Sequence, residues 1–267
     1  MLTPGRGTRG QAALFLAALM TIAAVPAGAG LLGIAGNNVL YDVNETNGAT
    51  SNPRTVGTKI DMIAYSPSGT LYGVSHGFPT DSPPAGQLFT ISVATGTPTL
   101  VATMDTFVIT EGDIAFDPTS GILYACDGAG QLFTINTTTG AGTVIGTVPG
   151  NVDLSAMTFD AAGNLYMVES FGQSLLKVNK ANAAIIATLP MGNVEQQVGG
   201  LAFVPANGTL FYSGGIPSKF YSVNTTTGTA TLVGPMPPTD GIWGLTLIPD
   251  PTPTHETTWG RLKTLYR

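Results

Sequence analysis

The chain has 267 residues, of which 43% are hydrophobic and only 10% are charged, whereas about a quarter of residues are charged in an average soluble domain. Its 35 glycines and 19 prolines disfavour long helices and favour frequent turns, which excludes a helical bundle and a coiled coil. The net charge of −6 argues against nucleic acid as a partner, because affinity for phosphate backbones rests on clustered lysine and arginine.

The first 29 residues have the pattern of a secretory signal peptide. Arg6 and Arg9 precede an apolar run over residues 12–25, and Ala27-Gly28-Ala29 supplies the small residues of a cleavage site. The run is shorter than the roughly 20 residues of a membrane span, and no second run of that length follows, so we expect no span in the mature chain. We therefore predict an exported protein, secreted or held at the cell surface, whose folded domain covers residues 30–249.

One short strand motif recurs five times at a nearly constant spacing of 43 to 48 residues. Each copy alternates apolar and polar residues, as a half-buried strand does. The copies begin at Val39, Gln87, Gln131, Ser174 and Lys219.

Each period contains four predicted strands. They are clearest at 113–118, 121–126, 131–136 and 143–147, where short β-branched and aromatic runs alternate with Asp-Pro, Ala-Gly and Thr-Thr-Gly turns. Four strands in a period of 40 to 50 residues are typical of the blades of a β-propeller. We assign four complete blades to residues 60–103, 112–148, 154–189 and 198–234.

The two ends of the repeat region hold the parts of a fifth blade. Residues 31–36 match the second strand of the unit without a first strand, and residues 242–249 match the first strand without a second. Pairing these segments would close the ring and remove its exposed edges. The sequence therefore predicts an all-β, five-bladed propeller whose C-terminal strand completes the N-terminal blade.

Residues 250–267 differ in character from the rest of the chain. A Pro/Thr segment leads into a tail in which Arg261, Lys263 and Arg267 accompany a short apolar stripe that begins at Trp259. The Ile-Pro-Asp-Pro opening resembles the Val-Pro-Glu-Pro start of a bacterial C-terminal sorting signal, although the hydrophobic span of that signal is missing. We interpret this segment as a linker and an export or attachment signal, with a frayed terminus as the alternative.

The motifs Gly-Leu-Ala-Phe-x-Pro, Gly-x-Leu-Tyr and Gln-Leu-Phe-Thr-Ile-Asn-Thr-Thr-Thr-Gly also resemble those of secreted bacterial propeller-repeat proteins. That group includes NHL-like, YVTN-like and uncharacterised extracellular repeat families. The resemblance covers nearly all of residues 31–249 and implies a propeller fold. It does not imply one function, because such repeats mainly encode packing.

The acidic residues are predicted to concentrate on one face of the ring, the face at which the first strand of each blade begins. Between residues 31 and 250 there are fifteen acidic and five basic residues, a net charge of −10. Clustered carboxylates indicate a cationic partner, a bound cation or raised pKa values, although charges also collect in loops for solubility alone. The acidic residues assigned to this acidic face are Asp61, Asp81, Asp105, Glu111, Asp113, Asp127, Asp153, Glu169, Glu195 and Asp240.

A binding site on the acidic face would use these carboxylates together with His76 and Trp243. His76 lies in the longest loop between second and third strands, and Trp243 is placed at the channel mouth as a stacking platform for a carbohydrate or peptide. The candidate ligand-binding residues are Asp61, His76, Glu111, Asp113, Asp127, Asp153, Glu169, Asp240 and Trp243.

Two enzyme classes are alternatives. Metal-dependent lactonases of the senescence-marker type bind a divalent ion in the channel, and Asp61, Glu111, Asp113 and Asp153 would supply oxygens suited to Ca²⁺. The chain departs from that pattern because no asparagine occupies the corresponding column. Five-bladed glycosidases use paired carboxylates on successive blades, as Asp61, Asp113 and Asp153 are predicted to lie.

The prediction that combines these observations is an exported, monomeric binding or surface-display propeller with no catalytic residues and no required cofactor. Its expected partner is a carbohydrate, a peptide or a cell-surface component. A metal-assisted hydrolase and a purely structural surface component are the alternatives.

Overall fold

The structure is a computed structural model that describes residues 30–75, 86–104, 109, 111–150, 152–171, 173–192, 194, 199–237 and 240–249. Twenty strands in these ranges form five antiparallel sheets of four strands each. No helix in the same ranges has the length and apolar character needed to cross a bilayer. The predicted signal peptide and the predicted C-terminal tail lie outside the described residues.

The sheets are numbered as blades in chain order. Blade 1 contains β1 (Gly30–Ala35), β2 (Val39–Val43), β3 (Thr50–Thr55) and β20 (Ile242–Ile248). Blade 2 contains β4 (Met62–Tyr65), β5 (Leu71–Ser75), β6 (Gln87–Ile91) and β7 (Pro98–Thr103). Blade 3 contains β8 (Gly112–Phe116), β9 (Leu123–Asp127), β10 (Gln131–Ile135) and β11 (Gly142–Thr147). Blade 4 contains β12 (Leu154–Phe159), β13 (Leu165–Glu169), β14 (Ser174–Val178) and β15 (Ile185–Pro190). Blade 5 contains β16 (Gly199–Val204), β17 (Thr209–Gly214), β18 (Lys219–Val223) and β19 (Ala230–Pro235).

The blades form a closed ring, which confirms the predicted five-bladed propeller. The inner strands β20, β4, β8, β12 and β16 contact one another in that order, and β16 contacts β20 again. β20 pairs with β1 in an antiparallel register that runs from Gly30 opposite Ile248 to Ala35 opposite Ile242. The C-terminal strand therefore completes the N-terminal blade, as predicted.

Two neighbouring interfaces, between blades 2 and 3 and between blades 3 and 4, repeat one aromatic contact. The phenylalanine at the end of an inner strand packs against the tyrosine of the second strand of the preceding blade. Phe116 lies 5.5 Å from Tyr72 and Phe159 lies 5.1 Å from Tyr124, measured between ring centroids. Such tilted pairs contribute roughly 0.5–1.5 kcal/mol beyond the burial of their area. The recurring Phe-x-Pro and Leu-Tyr motifs are thus the two halves of one interface.

The recurring asparagines form turns. Asn136 Oδ1 accepts hydrogen bonds from the backbone N–H groups of Thr138 at 2.9 Å and Thr139 at 3.0 Å, and Asn224 makes the equivalent pair with Thr226 and Thr227. These bonds stabilise the tight connection between the third and fourth strands. Turn formation therefore explains why Asn-x-Thr recurs in the repeat.

Blade 5 approaches blade 1 so closely that the inner strand β16 requires a glycine. A Cβ atom added at Gly200 would lie 2.6 Å from the carbonyl carbon of Gly244 and 2.7 Å from Cβ of Leu245, both on β20. Because part of this obstruction is backbone, a rotamer change in a neighbouring side chain cannot relieve it.

We expect Gly200→Ala to lower the free energy of unfolding by about 1–3 kcal/mol, the usual cost of overpacking. Thermal unfolding followed by circular dichroism measures the effect. Gly30→Ala is the matched control, because a Cβ atom at Gly30 has no neighbour within 4 Å. Equal melting temperatures for the two variants would contradict the close approach of β16 and β20.

Candidate functional site

The two ends of the central channel differ in chemistry. At one end the inner strands begin and the second strands finish, as the pairing of Gly112 with Asp127 shows, and this end carries acidic residues. At the other end the inner strands finish in aromatic and proline residues. The antiparallel order of each blade therefore places the starts of the inner strands and their apolar ends at opposite ends of the channel.

Three carboxylates lie close together on the acidic face, at the boundary between blades 3 and 4. We call Glu111, Asp153 and Glu169 the acidic seam. Gly128, which follows β9, leaves room between two of them. A Cβ atom on Gly128 would lie 3.0 Å from Glu111 Oε2 and 3.3 Å from Asp153 Oδ1. The two carboxylates therefore face the same small volume.

Two members of the acidic seam, Glu111 and Asp153, carry negative charge that no described lysine or arginine neutralises. Burial raises the pKa of Asp153, and the negative charges of Glu111 and Glu169 raise it further. Neither Glu111 nor Asp153 forms an ion pair with any lysine or arginine in the ranges described above. Glu111 is exposed and has a φ of 82°, a backbone conformation uncommon for a residue with a side chain. The seam would favour a positively charged ligand.

An exposed aromatic side chain borders the acidic seam, and the sequence did not single it out. Phe171 is 75% exposed, and its backbone N–H donates to Glu169 Oε1 at 3.2 Å. The intervening Ser170 donates its N–H to the carbonyl of Asp153 at 2.9 Å, which holds this turn against the start of blade 4. An aromatic face beside carboxylates is suited to an aliphatic stem that ends in a cation.

Two other predicted site residues use their carboxylates inside the fold. Asp113 is fully buried; Oδ1 accepts the N–H of Ile114 at 2.9 Å, and Oδ2 accepts the N–H of Met157 on blade 4 at 3.0 Å. Burial raises the pKa of Asp113 well above its ordinary value, and the two backbone hydrogen bonds lower it in part. Asp127 Oδ1 accepts the N–H of Gln131 at 2.7 Å and so stabilises the turn between β9 and β10.

The remaining candidates lie elsewhere on the ring. Asp61 is buried at the start of β4, beside Gly244 of β20. Trp243 packs its indole ring against Gly36, and its Nε1–H donates to the carbonyl of Asp240 at 3.0 Å, while Asp240 itself is exposed. His76 lies outside the described residues, as do Asp81, Asp105 and Glu195. The structure thus brings together Glu111, Asp153 and Glu169 among the predicted residues.

The residues proposed to hold Ca²⁺ occupy different environments. Glu111 and Asp153 face each other across Gly128, whereas Asp113 points between blades 3 and 4 towards Met157. Within the described ranges, no group of three or more histidine, cysteine, aspartate or glutamate side chains is arranged to hold a metal ion.

The other end of the channel contains an apolar cavity of about 360 Å³, which the sequence analysis did not predict. All five inner strands contribute to this channel cavity, because the same column of the repeat finishes each strand with a large apolar side chain. Its walls include Tyr65, Phe116, Phe159, Phe203 and Leu247, and prolines 67, 118, 205 and 249 form its rim. The recurring aromatic residue before x-Pro was a sequence signal for this cavity.

The twenty strands, the five blades and the 43- to 48-residue period define the class of the protein as a five-bladed β-propeller of repeated units. Residues 113–247 match the family described as a repeat of unknown function (DUF6923). The match covers just over half of the chain, and the chain belongs to this family. No curated protein matches the chain.

Solved structures with similar folds include a chain from a crystal structure of a nidogen/laminin complex. That likeness has a TM-score of 0.56 and 14% identity, and it covers 84% of this chain and 99% of that chain. A structural genomics protein of unknown function from Bacteroides thetaiotaomicron is similar with a TM-score of 0.53 and 15% identity over 79% of this chain and 60% of that chain. At these identities the likeness shows the propeller fold alone.

The environment of Asp113 predicts how stability depends on pH. Because its pKa is raised in the folded state, the folded protein binds the proton more tightly than the unfolded chain does. Binding of this proton contributes its full amount to the free energy of unfolding below about pH 4, near the ordinary pKa of aspartate. The contribution is lost as the pH rises through the pKa that Asp113 has in the folded protein. One unit of difference in pKa between the two states corresponds to about 1.4 kcal/mol.

We expect Asp113→Asn to reduce the fall in free energy of unfolding between pH 4 and pH 7, because asparagine does not ionise. Denaturant unfolding at several pH values measures this slope. Asp240→Asn is the control, since Asp240 is exposed. An unchanged slope in Asp113→Asn would show that Asp113 ionises equally readily in the folded and unfolded chain.

Proposed function

We propose that the chain is a non-catalytic binding propeller whose acidic seam receives a positively charged segment of a protein or peptide. The observation that supports this function is the facing pair of carboxylates on Glu111 and Asp153, which no described lysine or arginine neutralises. Two neighbouring carboxylates disfavour each other's ionisation because their charges repel. A bound cation would stabilise the ionised pair, whereas a neutral ligand would not relieve this repulsion.

The surroundings of the acidic seam support a peptide side chain rather than a free ion. Phe171 would contact the aliphatic stem of a lysine or arginine while the carboxylates bind its charged end. The net charge of −10 between residues 31 and 250 would also attract a cationic partner over longer distances. A similar propeller fold occurs in a crystallised nidogen/laminin complex, an assembly of proteins.

The binding test uses a fluorescein-labelled lysine pentapeptide as the probe and fluorescence anisotropy as the measurement. We expect binding at low salt that weakens at about 0.15 M salt, where charges are screened beyond about 8 Å. Glu111→Gln should weaken binding by about three- to fivefold, the range expected for one exposed charge pair.

The matched control is Glu45→Gln, which removes the same charge at the opposite end of the ring, where Glu45 Oε2 accepts from Asn207 Nδ2 at 3.5 Å. Equal weakening by the two variants would mean attraction to net charge alone and would refute the acidic seam as the site. Calorimetry with CaCl₂ tests the metal-assisted alternative separately, because a heat of Ca²⁺ binding that Glu111→Gln abolishes would favour it.

The proposal includes export and surface display. The cationic start, the apolar run and the small residues at 27–29 support removal of residues 1–29, and the basic segment after Pro249 supports attachment.

In a bacterial host, the protein recovered outside the cytoplasm should begin at Gly30, as determined by mass spectrometry. Leu16→Arg interrupts the apolar run and should retain the chain inside the cell. Recovery of an uncleaved chain outside the cytoplasm, or unchanged export of Leu16→Arg, would contradict this part of the proposal.

A further inference from the structure

The channel cavity has the properties of a binding site for an apolar group. Ile114, Met157, Leu201 and Leu245 line it together with the aromatic walls, and Tyr65, Phe116, Phe203 and Leu247 are only half-buried. Apolar side chains that remain partly in contact with water gain free energy when another apolar group covers them.

Two polar side chains of the channel cavity, Asp160 and Thr246, already have partners within the fold. The Asp160 carboxylate accepts hydrogen bonds from the N–H groups of Ala162 at 3.0 Å and Asn164 at 2.8 Å, and from Asn164 Nδ2 at 2.7 Å. The backbone N–H of Tyr65 donates to Thr246 Oγ1 at 3.0 Å. These contacts favour an aromatic or aliphatic occupant over a sugar, which would need hydrogen bonds from the walls.

The chain itself supplies a candidate occupant at the rim. β20 ends at Ile248, and the next residue, Pro249, is one of the prolines that line the channel cavity. The segment that continues from Pro249 contains Trp259, Leu262, Leu265 and Tyr266. Its residues 251–267 carry a net charge of +2 with histidine neutral, opposite in sign to the net charge of the ring.

The segment after Pro249 is long enough to fold back to the rim of the channel cavity, where it begins. A proline-rich chain in the extended conformation advances roughly 3.1 Å per residue, so a stretch as long as residues 250–254 could reach about 16 Å. Residues 255–259 can cover an equal distance back, because an extended chain advances about 3.3 Å per residue. Covalent attachment at the rim gives such a segment an effective concentration in the millimolar range.

We propose that residues 255–267 fold back over the end of the channel and that Trp259 occupies the channel cavity. The indole ring contacts the aromatic walls, and Leu262 covers the rim beside it. The cations of the segment remain in water. This inference does not depend on the acidic seam, which lies at the opposite end of the channel.

The test measures the protection of Trp259 from acrylamide in the full chain. Its fluorescence is obtained as the difference between the full chain and its Trp259→Phe variant, which removes the contribution of Trp243. We expect quenching about fivefold slower than in a free peptide of residues 250–267, as for a segment docked about four-fifths of the time. Quenching as fast as in the free peptide overturns the proposal.

A matched pair of variants locates the docking site. Ala161 and Ala162 are adjacent and exposed, but only Ala161 lines the channel cavity. Ala161→Arg should abolish the protection of Trp259, because it places a cation and a long side chain at the rim, whereas Ala162→Arg should leave it unchanged. Protection that survives Ala161→Arg, or that disappears equally in both variants, overturns the assignment to this cavity. Protection that increases with protein concentration overturns it in favour of a second copy.

Discussion

The pairing of β20 with β1 is the interaction on which the rest of the ring depends. The two strands belong to opposite ends of the domain, yet they form one ladder from Gly30 opposite Ile248 to Ala35 opposite Ile242. Without β20, blade 1 would have three strands, and Leu31 and Ile34 would lie at an open inner edge. Because β20 also contacts β4 and β16, its loss would remove one interface from blade 2 and one from blade 5.

The same strand order creates both candidate sites. Every inner strand begins on the acidic face and ends at the channel cavity, so one column of the repeat lies near the carboxylates and another supplies the aromatic walls. The two proposed sites would therefore differ in ligand chemistry, since carboxylates suit a cation and an apolar cavity suits an apolar ring. They share the inner strands β8 and β12, which carry Phe116 and Phe159 at one end and adjoin Glu111 and Asp153 at the other. A rigid ring can keep both sites in a fixed relation.

Most of the fold was predictable because the repeat is regular, whereas the sites depend on departures from it. The spacing of the recurring strand motif, whose third copy begins at Gln131, predicted the blades. The incomplete repeat units at the two ends of the domain predicted the closure of the ring. The burial of Asp113 was less evident, although its column elsewhere holds Met62, Ala156, Gly200 and Gly244, which are uncharged. Phe171 lies in the turn that follows β13, and the sequence Ser-Phe-Gly-Gln of this turn occurs once in the chain, so periodicity carried no information about it. The channel cavity forms where the ends of all five inner strands meet. The sequence of one strand does not show how much space remains between the five ends.

Both ends of the ring lie on the same side of the molecule. Gly30 pairs with Ile248, so the first residue of β1 and the last residue of β20 are neighbours at the end of the channel opposite the acidic face. Any tether that continues from either terminus therefore leaves from this side. A molecule held to a surface through such a tether would stand with its carboxylates directed outward, towards whatever approaches from solution. Orientation on the surface would follow from strand pairing alone.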